Sequence, residues 1–147
     1  MKLSVAKVSA ALLVMIVGTE AAAGEHTIHM VNRAADGQVM AFEPKFLKVD
    51  VGDTVKFVPT NPGHNAETIE GMWPEGAEAI KGKLSQEVVL KVDKEGLYGV
   101  KCLPHYGMGM VAFVVAGKAT NLDDAKNVQT PPGAKKVVEK LFEQAAQ

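Results

Sequence analysis

Leu97-Tyr98-Gly99-Val100-Lys101, then Cys102-Leu103-Pro104-His105-Tyr106-Gly107-Met108-Gly109-Met110, then Val111-Ala112-Phe113-Val114-Val115: these residues set two strand-like runs on either side of a loop. The runs are rich in β-branched and aromatic side chains, which suit a pleated surface. The loop packs a thiol, an imidazole and two thioethers into nine residues.

The same punctuation recurs upstream. Candidate strands are Thr27–Val31, Phe46–Asp50, Thr54–Val58 and Glu87–Val92. Turn signals at Asp50-Val51-Gly52-Asp53, Asn61-Pro62-Gly63 and Asp93-Lys94-Glu95-Gly96 separate them. Many short strands with Gly- and Pro-rich turns predict a mainly β protein, a sandwich or barrel. Residues 66–83, with Gly71, Pro74, Gly76 and Gly82, predict a long surface excursion between strands. Downstream of Gly117 the pattern becomes helical. A short stretch begins at Asn121-Leu122-Asp123-Asp124, and Pro131-Pro132 interrupts it. Val137, Val138, Leu141, Phe142 and Ala145 then recur at helical spacing among charged residues. This predicts an amphipathic helix whose apolar stripe packs on the sandwich. Its balanced charges argue against a membrane-surface helix.

Lys2 and Lys7 precede and flank an apolar run, Val8–Gly18, which leads into Ala21-Ala22-Ala23-Gly24. A basic start, a short apolar run and small residues predict a secretory signal peptide over residues 1–24. The run is too short for a bilayer, which needs about 20 residues. Cleavage fits after Ala23 or after Gly24; taking the second, residues 25–147 form one domain of 123 residues with net charge −2. The C-terminal helices occupy about 118–147 of it. Export places the protein outside the cytoplasm, with no membrane attachment after cleavage.

The whole chain has 147 residues, 47% of them apolar, with a formal charge of −1. That composition excludes a disordered chain, and the charge offers no bulk attraction for nucleic acid. A single Cys forms no internal disulfide and cannot alone build a Cys-rich zinc or iron–sulfur site.

Cys102 and His105 in the loop join His64, in the turn Asn61-Pro62-Gly63-His64-Asn65, and a methionine. Thiolate and thioether are soft donors that hold Cu(I), and imidazole also suits Cu(II). Two histidines, one cysteine and a weak axial methionine therefore suit a copper electron-transfer site. A thiol nucleophile with His105 as its base is the competing reading. It needs an orienting group and an oxyanion donor, neither of which is identifiable, and it leaves His64 and Met110 idle. His26 and His29 read as strand-face residues rather than as a second metal site. Trp73 fits either the core or an exposed contact.

The spacing Cys-x2-His-x4-Met, with a histidine upstream in a Gly-His-Asn turn, resembles the cupredoxins, and more narrowly the pseudoazurins. Phe42-Glu43-Pro44, Gly52-Asp53-Thr54-Val55, Pro74-Glu75-Gly76-Ala77-Glu78 and the C-terminal helices carry the narrower resemblance. It implies an eight-strand Greek-key sandwich with two C-terminal helices. It also implies one copper held by His64, Cys102, His105 and Met110. Met108 would give the spacing of the related amicyanins, but chain length and the helical extension favour Met110. The implied activity is that of a monomeric periplasmic electron carrier, not an enzyme, donating to redox enzymes such as nitrite reductase. Met40 and Pro104 match positions that pack near copper. Leu103 departs from the hydroxyl residue usual after the ligand cysteine, which puts in question part of the tie that Asn65 makes between the ligand loops.

Arg33, Lys81, Lys83 and Lys101 lie close in sequence to the ligand loops and match basic positions that ring the docking patch of the pseudoazurins. Pro62 stands where that family often has a lysine, so the ring is thinner here. A copper-trafficking or storage protein, binding Cu(I) and handing over the metal, is the rival function.

Overall fold

The structure, a computed structural model, describes residues 22–147. Most of the expected signal segment, residues 1–21, lies outside them. Eight strands form two sheets: β1 (Glu25–Arg33), β2 (Val39–Glu43), β3 (Phe46–Val49), β4 (Thr54–Pro59), β5 (Glu67–Thr68), β6 (Val88–Lys91), β7 (Gly96–Lys101) and β8 (Val111–Ala116). One sheet runs β2-β1-β4-β6 and the other β3-β8-β7-β5. β1 pairs with β4 and β3 with β8 in parallel, while the remaining neighbours are antiparallel. The chain changes sheet at every step from β2 through β7, giving the expected Greek-key sandwich.

β4 shows why the sheets stack. Val55 and Phe57 are fully buried and alternate with partly exposed Thr54, Lys56 and Val58. The period of two sends one face inward. Phe57 meets Phe42 of the same sheet edge-on, with centroids 5.7 Å apart. β8 differs, since all six of its residues are buried. Ala112, Val114 and Ala116 face the core between the sheets, while Val111, Phe113 and Val115 belong to a second core outside the sandwich.

The C-terminal helices cover that second core. Helix α1 (Leu122–Lys126) buries Ala125, and helix α2 (Pro132–Ala145) buries Ala134, Val138, Leu141 and Ala145. Phe142 packs on Phe113 with ring centroids 5.0 Å apart. The apolar stripe therefore packs on the sandwich, as its pattern predicts. Pro132 takes the first helical position, where its missing N–H costs nothing.

Two expectations need correction. Residues 66–83 are not simply a surface excursion: Ala66, Ile69 and Met72 are buried. Ile69 N–H donates to Gly99 O at 2.8 Å and Gly99 N–H to Met72 O at 2.7 Å, fastening the segment to the side of β7. Six strands are legible as runs, but β2 and β5 are not. β2 contains Met40 at φ 52°, which breaks the regular pleat, and β5 has two residues. Among the described residues no helix is long and apolar enough to cross a membrane.

Candidate metal centre

Three elements converge at one end of the sandwich. His64 sits in the turn after β4. Cys102 directly follows β7, and His105 lies in a 3₁₀ segment, Leu103–Met108, that leads toward β8. The 3₁₀ turn is closed by backbone: His105 N–H donates to Cys102 O at 3.1 Å, Gly109 N–H to Tyr106 O at 3.0 Å and Met110 N–H to His105 O at 3.2 Å. Gly109, at φ 87°, ends the segment in the left-handed region that glycine adopts without strain.

His64 Nδ1 lies 3.2 Å from His105 Nδ1 and 3.8 Å from Cys102 Sγ, and His105 Nδ1 lies 3.4 Å from the same sulfur. A point equidistant from those three atoms is about 2.0 Å from each, close to the metal–nitrogen and metal–sulfur bond lengths of about 2.0–2.3 Å known for a borderline divalent ion. The donor set, two imidazoles and a thiolate with no carboxylate, suits copper. Met110 is fully buried in the same core as Cys102, whereas Met108 is 53% exposed. The loop turns one thioether inward and the other to solvent.

The groups behind the donors orient them. His64 Nε2–H donates to Asn32 Oδ1 at 2.9 Å, which leaves the lone pair on Nδ1, the atom facing the other two donors. Asn32 N–H in turn donates to Asn61 Oδ1 at 2.8 Å, holding β1 against the His64 turn. Burial, and then neighbouring His105, lower the His64 pKa, so the ring stays neutral and able to ligate. Burial pushes the Cys102 thiol up, against the opposing pull of the Asn65 and His105 N–H groups. A thiol held protonated at neutral pH is a poor nucleophile, which disfavours the thiol-enzyme reading.

Asn65 ties the two loops together without any side-chain hydroxyl. Its Oδ1 accepts from Leu103 N–H at 2.7 Å, its Nδ2 donates to Gly82 O at 3.1 Å, and its own N–H lies 3.5 Å from Cys102 Sγ. The tie uses backbone at position 103, so Leu103 leaves it standing and puts its 57%-exposed side chain at the surface.

The four basic residues differ in freedom. Arg33, Lys81 and Lys83 are exposed. Lys101 is only partly exposed; its Nζ lies 3.5 Å from Glu67 Oε1 and 5.3 Å from the Tyr106 ring centre. Its charge is thus largely answered within the protein. His26 and His29 lie apart from the centre, bonded to Asp53 and Thr60. Trp73 is half-buried, edge-on to Tyr98 at 4.8 Å. Met40 packs against the core, and Pro104 is exposed at the start of the 3₁₀ segment. Asn32 escapes sequence reading; its only signal is an asparagine on β1, and only the parallel β1–β4 pairing brings it to His64.

A Greek-key sandwich that closes two histidines and a cysteine around one point, with a thioether buried in the same core as the cysteine, defines a single-copper protein of the cupredoxin class. Comparison with known proteins bears this out. The model of the copper-binding plastocyanin/azurin family matches residues 28–117. The pseudoazurin of Methylorubrum extorquens is 47% identical over 142 residues, covering 95% of both chains. That of Paracoccus pantotrophus is 44% identical over 145 residues, covering 98% of this chain and 96% of its own. The crystal structure of native pseudoazurin from Hyphomicrobium denitrificans superposes with a TM-score of 0.81 at 48% identity, covering 84% of this chain and all of that one. The chain belongs to the plastocyanin/azurin family of copper-binding proteins and, within it, to the pseudoazurins. It is a blue-copper electron carrier and not an enzyme.

Proposed function

We propose that His64, Cys102, His105 and Met110 hold the copper, and that the exported, monomeric protein carries electrons in the periplasm to redox enzymes such as a nitrite reductase. The observation that carries the ligand assignment is the triangle of His64 Nδ1, His105 Nδ1 and Cys102 Sγ, whose centre lies at metal-bond distance from every corner. When bound, copper supplies the Cu(II)/Cu(I) one-electron couple. The chain's own residues do the rest. Asn32 fixes the His64 tautomer, and Cys102 gives up its proton because only the thiolate ligates. Burial of His64, Cys102 and Met110 excludes water. Donors already held in place before electron transfer keep its reorganisation small. His105 is the donor with surface exposure, so its edge is the exit toward a partner.

Export rests on the basic and apolar N-terminus followed by Ala21-Ala22-Ala23-Gly24. Docking rests on exposed Arg33, Lys81 and Lys83, with Lys101 a weaker contributor. Such charges raise on-rate and orient the encounter. The test is stopped-flow oxidation of the reduced protein by a purified copper nitrite reductase. Rapid transfer that slows with added salt supports the proposed partner class and docking face. No transfer, together with ready loss of colourless Cu(I) to a chelator, would favour metal trafficking. Met110→Leu should keep copper bound and shift the potential; the same shift from Met108→Leu alone would overturn the axial assignment.

A further inference from the structure

The sequence leaves cleavage open between the Ala23–Gly24 and Gly24–Glu25 bonds. The surroundings of Asp53 distinguish them. Asp53 is 7% exposed, and its carboxylate lies beside the start of β1. Oδ1 accepts from Gly24 N–H at 2.6 Å. Oδ2 accepts from Asp50 N–H at 3.0 Å and meets His26 Nε2 at 2.8 Å. Among the described residues His26 is the only basic side chain within ion-pair distance of Asp53. The neighbouring Lys56 is engaged by Glu25 at 2.8 Å. Gly24 O accepts from Thr54 N–H at 2.9 Å, so residue 24 is anchored through both its donor and its acceptor. A Cβ there would meet Asp53 Oδ1 at 3.0 Å and Cγ at 3.1 Å; glycine lets the chain lie directly on the carboxylate.

We propose that processing cuts the Ala23–Gly24 bond and that the new Gly24 α-ammonium closes an ion pair on Asp53 that the precursor cannot form. This rests on the export reading above. Hydrolysis by a signal endopeptidase adds one water across the amide: Ala23 keeps the carboxylate, and Gly24 leaves with an amine that takes a proton from solvent. An α-amino group has an ordinary pKa of about 7.7–8.0, so it is mostly charged at neutral pH. In the precursor the same nitrogen is a neutral amide donor. A charge-assisted bond is roughly twice as strong as a neutral one, and a buried carboxylate is stabilised by a cation held at contact. Cleavage one residue later would remove the donor to Asp53 Oδ1 and the acceptor of Thr54 N–H together.

The first test is the intact mass of the copper-loaded protein purified after export. A chain beginning at Gly24 is expected. A chain beginning at Glu25 overturns the inference while leaving export standing, and an uncleaved chain overturns both. The second test compares melting of the Gly24-initiated protein with a chain that retains Ala23, each with and without Asp53→Asn. The Ala23-retaining chain should melt about 4 °C lower, and Asp53→Asn should erase the difference. Equal melting with Asp53 present, or a gap that persists without it, refutes the ion pair. A third readout needs no substitution: acylation of the Gly24 amine at neutral pH should be slower than that of a short peptide beginning Gly-Glu-His. Equal rates would show an unpaired terminus.

Discussion

Alanine in place of Gly133 would drive a methyl group into the Gly107 carbonyl oxygen, well inside van der Waals contact, and to 3.1 Å from Gly107 C and 3.9 Å from Met108 Cα. Gly133 lies in the first turn of α2, and Gly107 lies between His105 and Met110. Facing them, a Cβ at Gly109 would meet Gly133 O at 3.1 Å and Val137 Cγ2 at 3.1 Å. Helix and ligand loop touch backbone to backbone, so neither can yield by turning a side chain. One must retreat by about 1 Å to restore ordinary contact. Overpacking of this kind costs about 1–3 kcal/mol, against a helix-propensity gain of at most about 1 kcal/mol. The clash wins. A net loss of about 1–2 kcal/mol lowers Tm by about 4–8 °C in a domain of this size. The assay is thermal unfolding of the copper-loaded protein beside its visible spectrum and reduction potential. Lys135→Ala, an exposed change in the same turn, should stay within about 0.5 kcal/mol of wild type. If Gly133→Ala melts with wild type and leaves spectrum and potential unchanged, α2 does not brace the ligand loop.

Asn32→Leu removes the acceptor of the His64 Nε2–H bond and should weaken copper affinity about 10–100-fold; competition with a chelator measures it, and unchanged affinity would show that the His64 tautomer needs no partner. Asp53 is held below the usual carboxylate value of 3.8, first by His26 and then by the N–H groups of Gly24 and Asp50. A depressed folded pKa stabilises above the unfolded value, and that stabilisation is lost as pH falls through the folded value. The stability gap between wild type and Asp53→Asn should therefore be full at pH 6 and close below pH 3.8; a gap constant with pH refutes the linkage. Electron transfer to an acidic-faced acceptor should slow with ionic strength, since the Debye length is about 10 Å at 0.1 M. Lys81→Glu should slow it more than Lys101→Glu at low salt, because Glu67 already answers Lys101; the reverse order would place the docking charge elsewhere.

What could be read from the sequence was local. The loop Cys102–Met110 between two strands, the six regular runs and the stripe of α2 each carry their pattern within a few residues. β2 escaped because Met40 takes a positive φ, which hides the alternation of an edge strand. β5 escaped because a two-residue strand has no period. The buried character of Ile69 and Met72 follows from hydrogen bonds to Gly99 about thirty residues on, a pairing that turn-forming glycines and prolines in the segment obscure. At the site, residue types fixed the donor set and the resemblance chose between two methionines. Their burial, full for Met110 and only partial for Met108, depends on the turn at Gly109. Asn32 and the Leu103 N–H matter through position in space, and neither has a signature of its own. The concern over Leu103 assumed a side-chain hydroxyl in the tie to Asn65, but the bond is to backbone.

The most direct test is the visible absorption of the copper-loaded protein against its Cys102→Ser variant. A thiolate bound to Cu(II) in this trigonal site gives intense charge-transfer colour that bleaches on reduction and returns on oxidation. The wild type should show that cycle at one copper per chain. Cys102→Ser should lose the intense band, since a hydroxyl oxygen is no substitute for a soft thiolate sulfur. An intense band retained in the variant, or wild-type protein that binds copper without one, would contradict the assignment of Cys102 and the electron-carrying site built around it.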